Sequence, residues 1–350
     1  MQNTFNMTAT HTFPLVKVSG TAYEMGYQHG AQAADLIQRY LILTERLAGL
    51  SRQQLCQNAL RFLPLIERLS PAYVEEVRGL AAGADISFEE ALLCQARLEA
   101  AAMSDEGCSA FALTGKATLD HQPLAGQNQD LQPEYSDVAI LLHLKPTDGQ
   151  PRKLIFTFAG QLGYAGMNQF GVSLFANALY DYQWQMGLPK YPMQRMILEQ
   201  RTVEAGIALL GQHKLCSASN FVLADGQGHI ADVEVRPEGI AVFEDVHPDR
   251  RLHTNHHVSD KFAALETNSL PDSCPRLDRL QLLIQQQWGH ITVDMLKHIL
   301  ADHEGDPAGI CRHGDSGMHT ISGYIAEPAR GVLHVRRGHG CLGSWQSYEV

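Results

Sequence analysis

An α+β protein is predicted, on three observations. The first hundred residues carry repeated helix-start signals. Near residue 105 the chain changes to short apolar runs bounded by Gly, Asn, Asp and Pro. Helices then return in blocks, without the one-for-one alternation of βαβ units.

The helical part reads in order. Thr21 and Glu24 form a capping box that opens a helix running toward Leu47. Ser51 with Gln54, Ser70 before Pro71, and Ser87 with Glu90 mark three further starts. Ala, Leu and Glu dominate between them, as helix propensity favours. Strands are expected at 138–144, 154–158, 172–176, 221–224 and 331–335, and helices at 192–211, 273–287 and 293–301. Residues 1–107 read as a mostly helical segment and 108–350 as a second, strand-bearing part, together one globular unit.

Composition narrows the function. The 350 residues are 45% hydrophobic and 19% charged, enough to bury a core without staples. A net charge of -11 with no basic run opposes binding to nucleic acid or an anionic membrane. The first thirteen residues hold neither a basic region nor an apolar run, so no signal peptide is expected. Seven scattered cysteines without a C-x-x-C pair suit reduced thiols and a cytoplasmic location.

Four segments carry chemistry. In the first, Gly107 precedes Cys108. A thiol directly after glycine can attack the unobstructed preceding carbonyl, and hydrolysis then leaves Cys108 with a free α-amine. An α-amine titrates at about 7.7–8.0, suited to take the proton of its own thiol. The alternative is a structural cysteine beside a turn glycine. In the second, Gly126-Gln127-Asn128-Gln129-Asp130, a hairpin turning at Leu119-Asp120-His121 returns Asp130 to the nucleophile, unless Asn128 and Asp130 are turn residues. In the third, His253-Thr254-Asn255-His256-His257, Asn255 can donate to an oxyanion. The competing reading is a metal site of His253, His256 and His257, with His303, Cys311 and His313 adding ligands, though no zinc spacing is present. The fourth is the polar stretch from Asp302 to His313. Asn177 ends a predicted strand.

In this order and spacing, with Tyr23-Glu24-Met25-Gly26-Tyr27-Gln28-His29-Gly30, Ala176-Asn177-Ala178-Leu179 and Leu270-Pro271-Asp272-Ser273, these segments resemble the isopenicillin N acyltransferase family of N-terminal nucleophile hydrolases. The resemblance implies an αββα sandwich of two antiparallel sheets between helical layers. It implies self-cleavage between Gly107 and Cys108, with Cys108 as nucleophile, Asp130 as its partner and Asn255 in the oxyanion hole. The two cleaved pieces are expected to stay associated. Asn128, Asn177, Arg312 and Ser316 are supporting candidates. The expected reaction is amide hydrolysis or acyl transfer on a small acyl amide or acyl thioester, without cofactor or metal. One departure concerns charge: the family carries an arginine before the strand matching His319-Thr320-Ile321, where this chain has Gly317, so either Arg312 replaces it from the neighbouring loop or the electrostatics differ. The bile-salt and penicillin V hydrolase branch, a more distant resemblance, has arginine where Gln127 stands; a member of the fold that has lost its reaction is a further alternative.

Overall fold

The computed structural model describes residues 12–103, 106–180, 184–266, 270–314 and 317–350. The chain opens with strand β1 (Leu15–Gly20), followed by helices α1 (Ala22–Ala48), α2 (Arg52–Leu60), α3 (Leu63–Leu69), α4 (Pro71–Ala84), α5 (Phe88–Gln95) and α6 (Arg97–Ala101). Strands β2 (Gly107–Leu113), β3 (Leu124–Leu131), β4 (Ala139–Pro146), β5 (Lys153–Phe158), β6 (Ala165–Asn168) and β7 (Ser173–Ala178) come next. Then follow α7 (Lys190–Ile197), α8 (Val203–Gln212), β8 (Ser219–Ala224), β9 (Ile230–Arg236), β10 (Gly239–Val242) and β11 (Arg250–His253). The chain ends through α9 (Ser273–Gln286), α10 (Val293–Ile299), β12 (His319–Glu327), β13 (Val332–Arg337) and β14 (Trp345–Glu349).

Local chemistry accounts for the helix starts. Thr21, Ser51 and Ser87 each accept from the backbone N–H three residues on, and Glu24, Gln54 and Glu90 return the bond. Each closed box is worth about 1 kcal/mol. Ser70 precedes α4 without a side-chain cap, and Pro71 starts the helix instead. One predicted element divides. The expected helix over 192–211 is two, because Thr202 is extended and caps α8 by accepting from Ala205 N–H.

The strands form two sheets. One runs β1-β4-β5-β6-β7-β8-β9-β10, the other β11-β2-β3-β12-β13-β14. All pairings are antiparallel except β1 on β4, which is parallel at the edge of the larger sheet. The sheets face each other through β2 and β3 against β7 and β8. Alternation splits β2 between two cores. Ala110 and Ala112 join the core between the sheets, whereas Phe111 and Leu113 join a second core under α9 and α10. Helices α1 and α8 cover the outer face of the larger sheet, and α4 packs on α1. The architecture is therefore the expected α+β sandwich, helices–sheet–sheet–helices.

The motif around Tyr23 to Gly30 is a helix crossing. A Cβ on Gly26 would lie 1.9 Å from the Glu76 carbonyl oxygen, and one on Gly79 would lie 2.0 Å from that of Tyr23. Only glycine lets α1 and α4 approach this closely. His29 is buried beyond the crossing, and its Nε2 accepts from Gly160 N–H at 3.1 Å. Burial, with Arg195 nearby, lowers its pKa to about 3, so it is neutral and structural.

Candidate active site

Cys108 lies at the start of β2, an inner strand of the smaller sheet next to the edge strand β11. The hairpin to β3 turns through residues 114–123, with His121 at φ +56°, and pairs Gly107 with Asp130 and Cys108 with Gln129. The register brings the two segments together as the sequence predicts. It also gives them opposite faces. Cys108 points between the sheets, toward Tyr164 and Tyr324. Asp130 points toward α9, beside Gly107: a Cβ on Gly107 would lie 3.4 Å from Asp130 Oδ2 and 3.1 Å from Arg312 Nη1.

Asn255 reaches the same point from the loop after β11. Its Oδ1 accepts from Cys108 N–H at 2.9 Å, and its Nδ2 donates to the Ala178 carbonyl at 2.9 Å. The loop is fixed by Ser273, whose Oγ accepts from Asn255 N–H at 2.7 Å. In this continuous chain the Asn255 amide therefore grips the Cys108 backbone by its oxygen.

Arg276, on α9, is the residue the sequence reading missed. It is fully buried. Its Nη1 donates to the Cys108 carbonyl at 2.6 Å and to Ser109 Oγ at 3.1 Å, and its Nη2 donates to Asn255 Oδ1 at 2.7 Å. The quoted Leu270-Pro271-Asp272-Ser273 motif stops three residues short of it. A long cation one turn inside a helix that starts at a motif is the signal that points to it.

Arg312 approaches Asp130 Oδ2 to 3.9 Å and Asp272 Oδ2 to 2.7 Å. Gly317 has φ +76° and sits in a turn. Asp130 Oδ1 accepts from Thr320 Oγ1 at 2.6 Å, while Oδ2 has no hydrogen-bond partner among the described residues. Burial raises the Asp130 pKa, with Arg276 and Arg312 opposing. The Cys108 thiol is pushed up to about 12, first by burial and then by Glu106 and Asp130.

The segment before the junction is clamped. Glu106 is buried and accepts from Lys190 Nζ at 3.0 Å and Tyr164 Oη at 2.9 Å. Its carbonyl accepts from Tyr180 Oη at 2.8 Å. Burial alone would raise the Glu106 pKa, but Lys190 and Arg97 hold it below the ordinary value.

The remaining candidates sit farther off. Asn128 faces the outer helices, where its Nδ2 donates to the Leu300 and Ile310 carbonyls and Arg336 donates to its Oδ1. Asn177 bridges the sheets, donating to the His253 carbonyl and accepting from Asn220 Nδ2. Both tie elements together. Ser316 lies outside the described residues. The histidines at 253, 256 and 257 do not converge on one point: they turn to Glu234, Ser273 and Glu266 respectively.

Several known proteins are similar to this chain. The 40 kDa form of acyl-coenzyme A:6-aminopenicillanic-acid-acyltransferase from Emericella nidulans is 28% identical over 335 residues, covering 92% of each chain. Among solved structures, penicillin V acylase from Agrobacterium tumefaciens matches 69% of this chain and 86% of its own, at 12% identity and a TM-score of 0.49. A mutant conjugated bile acid hydrolase from Clostridium perfringens matches 69% and 97%, at 13% identity and a TM-score of 0.46. Residues 118–340, well over half of the chain, match the family described as acyl-coenzyme A:6-aminopenicillanic acid acyl-transferase, and the chain belongs to that family.

Proposed function

We propose that this chain is a self-processing acyltransferase or amide hydrolase whose nucleophile is Cys108, freed at its amino end by cleavage after Gly107. The supporting observation is the junction itself. Glycine and cysteine head an inner strand, with the cysteine N–H and C=O held by Asn255 and Arg276 and an incompletely bonded carboxylate beside the glycine.

The chemistry runs in two stages. The Cys108 sulfur adds to the Gly107 carbonyl carbon, the peptide C–N bond breaks, and the nitrogen leaves as the Cys108 α-amine after taking the thiol proton. Water then hydrolyses the thioester, giving a Gly107 carboxylate and the free thiol. Once the Gly107 carbon is gone, an α-ammonium can turn to Asp130 Oδ2, which charge-assisted hydrogen bonding favours. Deprotonated, the same amine is the base for its own sulfur. The thiolate attacks a small acyl amide or acyl thioester. Expulsion of the amine or thiol leaves an acyl-enzyme, resolved by water or a second amine. The Asn255 Nδ2–H group, exchanging Ala178 for the tetrahedral oxyanion, supplies about 3–4 kcal/mol.

Burial of the thiol, with its pKa pushed up to about 12, fits a precursor that does not act on outside substrate until cut. Intact-mass analysis of wild type beside Cys108→Ala tests the proposal. Two fragments meeting at 107/108, with activity on N-acyl amides or acyl thioesters, are expected for wild type, and one uncut inactive chain for the variant. A continuous wild-type chain, or full turnover by the variant, rejects it.

A further inference from the structure

The polar stretch from Asp302 to His313 does not end at the active site. It folds so that His303 Nε2 lies 2.7 Å from His313 Nε2, and His313 Nε2 lies 3.5 Å from Cys341 Sγ. One ligand atom from each of His303, Cys311, His313 and Cys341 lies within 4.8 Å of the others. The four come from two separate stretches, the α10–β12 connection and the β13–β14 turn.

We infer that His303, Cys311, His313 and Cys341 form a structural zinc site. Four donors, two imidazole nitrogens and two sulfurs, match one of the standard closed zinc sets. Tetrahedral ligand atoms at Zn–N of about 2.0–2.1 Å and Zn–S of about 2.3 Å stand about 3.3–3.8 Å apart, so the cluster needs only small side-chain shifts. Two thiolates balance the charge of a divalent ion. The Gly340 N–H group already points at Cys311 Sγ, 3.1 Å away, the kind of donor that steadies a metal-bound thiolate. Cys311 is fully buried and Cys341 exposed, so an ion can enter from solvent.

The ion would brace the active-site cation. Arg312 sits between two of the ligands, and its N–H donates to Thr320 Oγ1, which in turn donates to Asp130. The zinc ligands are thus positioning residues for Arg312, and the inference stands whether or not Cys108 is the nucleophile.

Metal analysis of the full chain, purified under reducing conditions and incubated with zinc chloride, tests this. About one zinc ion per chain is expected after desalting. Cobalt(II) reconstitution should give a thiolate charge-transfer band. Cys341→Ser, at an exposed position, should fold normally, lose that band in part and bind zinc at least about 10-fold more weakly in chelator competition. Cys274→Ser, exposed elsewhere, should match wild type. Equal zinc affinity in wild type and Cys341→Ser, no thiolate band with cobalt, or a Cys311–Cys341 disulfide in the reduced preparation overturns the inference.

Discussion

Two buried ionic clusters sit in this molecule and differ in how completely they are bonded. Under the larger sheet, Arg195 donates to both oxygens of Glu76, to Glu199 and to the Leu162 carbonyl. Lys153 and Tyr73 close on Glu199 from the other side. Beside the smaller sheet, Arg312 Nη1 pairs with Asp272 Oδ2 at 2.7 Å, but Asp130 Oδ2 and Arg276 Nε have no hydrogen-bond partner among the described residues. A saturated cluster holds elements together. An unsaturated one, bordering a glycine whose departure would open space, has capacity for a new charge. Burial makes the first costly to break, whereas the second has something left to bind.

This contrast can be broken by substitution. Arg195→Met should cost the most stability, about 3–5 kcal/mol in urea unfolding, because it strands the Glu76 and Glu199 carboxylates. Activity per folded molecule should stay near wild type. Asp130→Asn should do the reverse, slowing processing or turnover on the order of 100-fold while leaving the unfolding midpoint within about 1 kcal/mol. If Asp130→Asn instead unfolds the protein and leaves the rate intact, the two clusters do not differ in kind. The effect with the smallest change per pH unit concerns His29, buried beyond the helix crossing. The folded pKa of His29 lies near 3, below its ordinary 6.5. Between those values the unfolded chain binds the extra proton, so the stability this group contributes is present above pH 6.5 and is lost as pH falls toward 3. The slope is at most about 1.4 kcal/mol per pH unit. His29→Gln should flatten the acid limb of stability against pH; an unchanged limb would show that His29 plays no part in it.

What could be read in advance follows from the range of each interaction. Capping boxes at Thr21, Ser51 and Ser87 span four residues, and all three are formed. The hairpin from Cys108 to Asp130 is also local, so its pairing was legible. Strand β1 was not anticipated, although Val16 and Val18 alternate with Lys17. It is six residues long, and its partner β4 lies more than a hundred residues away. The break between α7 and α8 was missed because Thr202 reads as a helix residue until its extended backbone is seen. Arg276 escaped because its partners, Cys108 and Asn255, are brought to it only by the sheet. Cys341 likewise joins the histidine loop only once β13 turns back.

The parallel strand β1 has a consequence for any molecule cut at 107/108. The smaller piece supplies an edge strand of one sheet, hydrogen-bonded along its whole length to the larger piece, and most of the layer that covers it. Severing the backbone would therefore not release a leader. The two pieces would behave as subunits of a permanent heterodimer, resisting separation on dilution. Supplied as separate genes, they would have to find each other before either could finish folding.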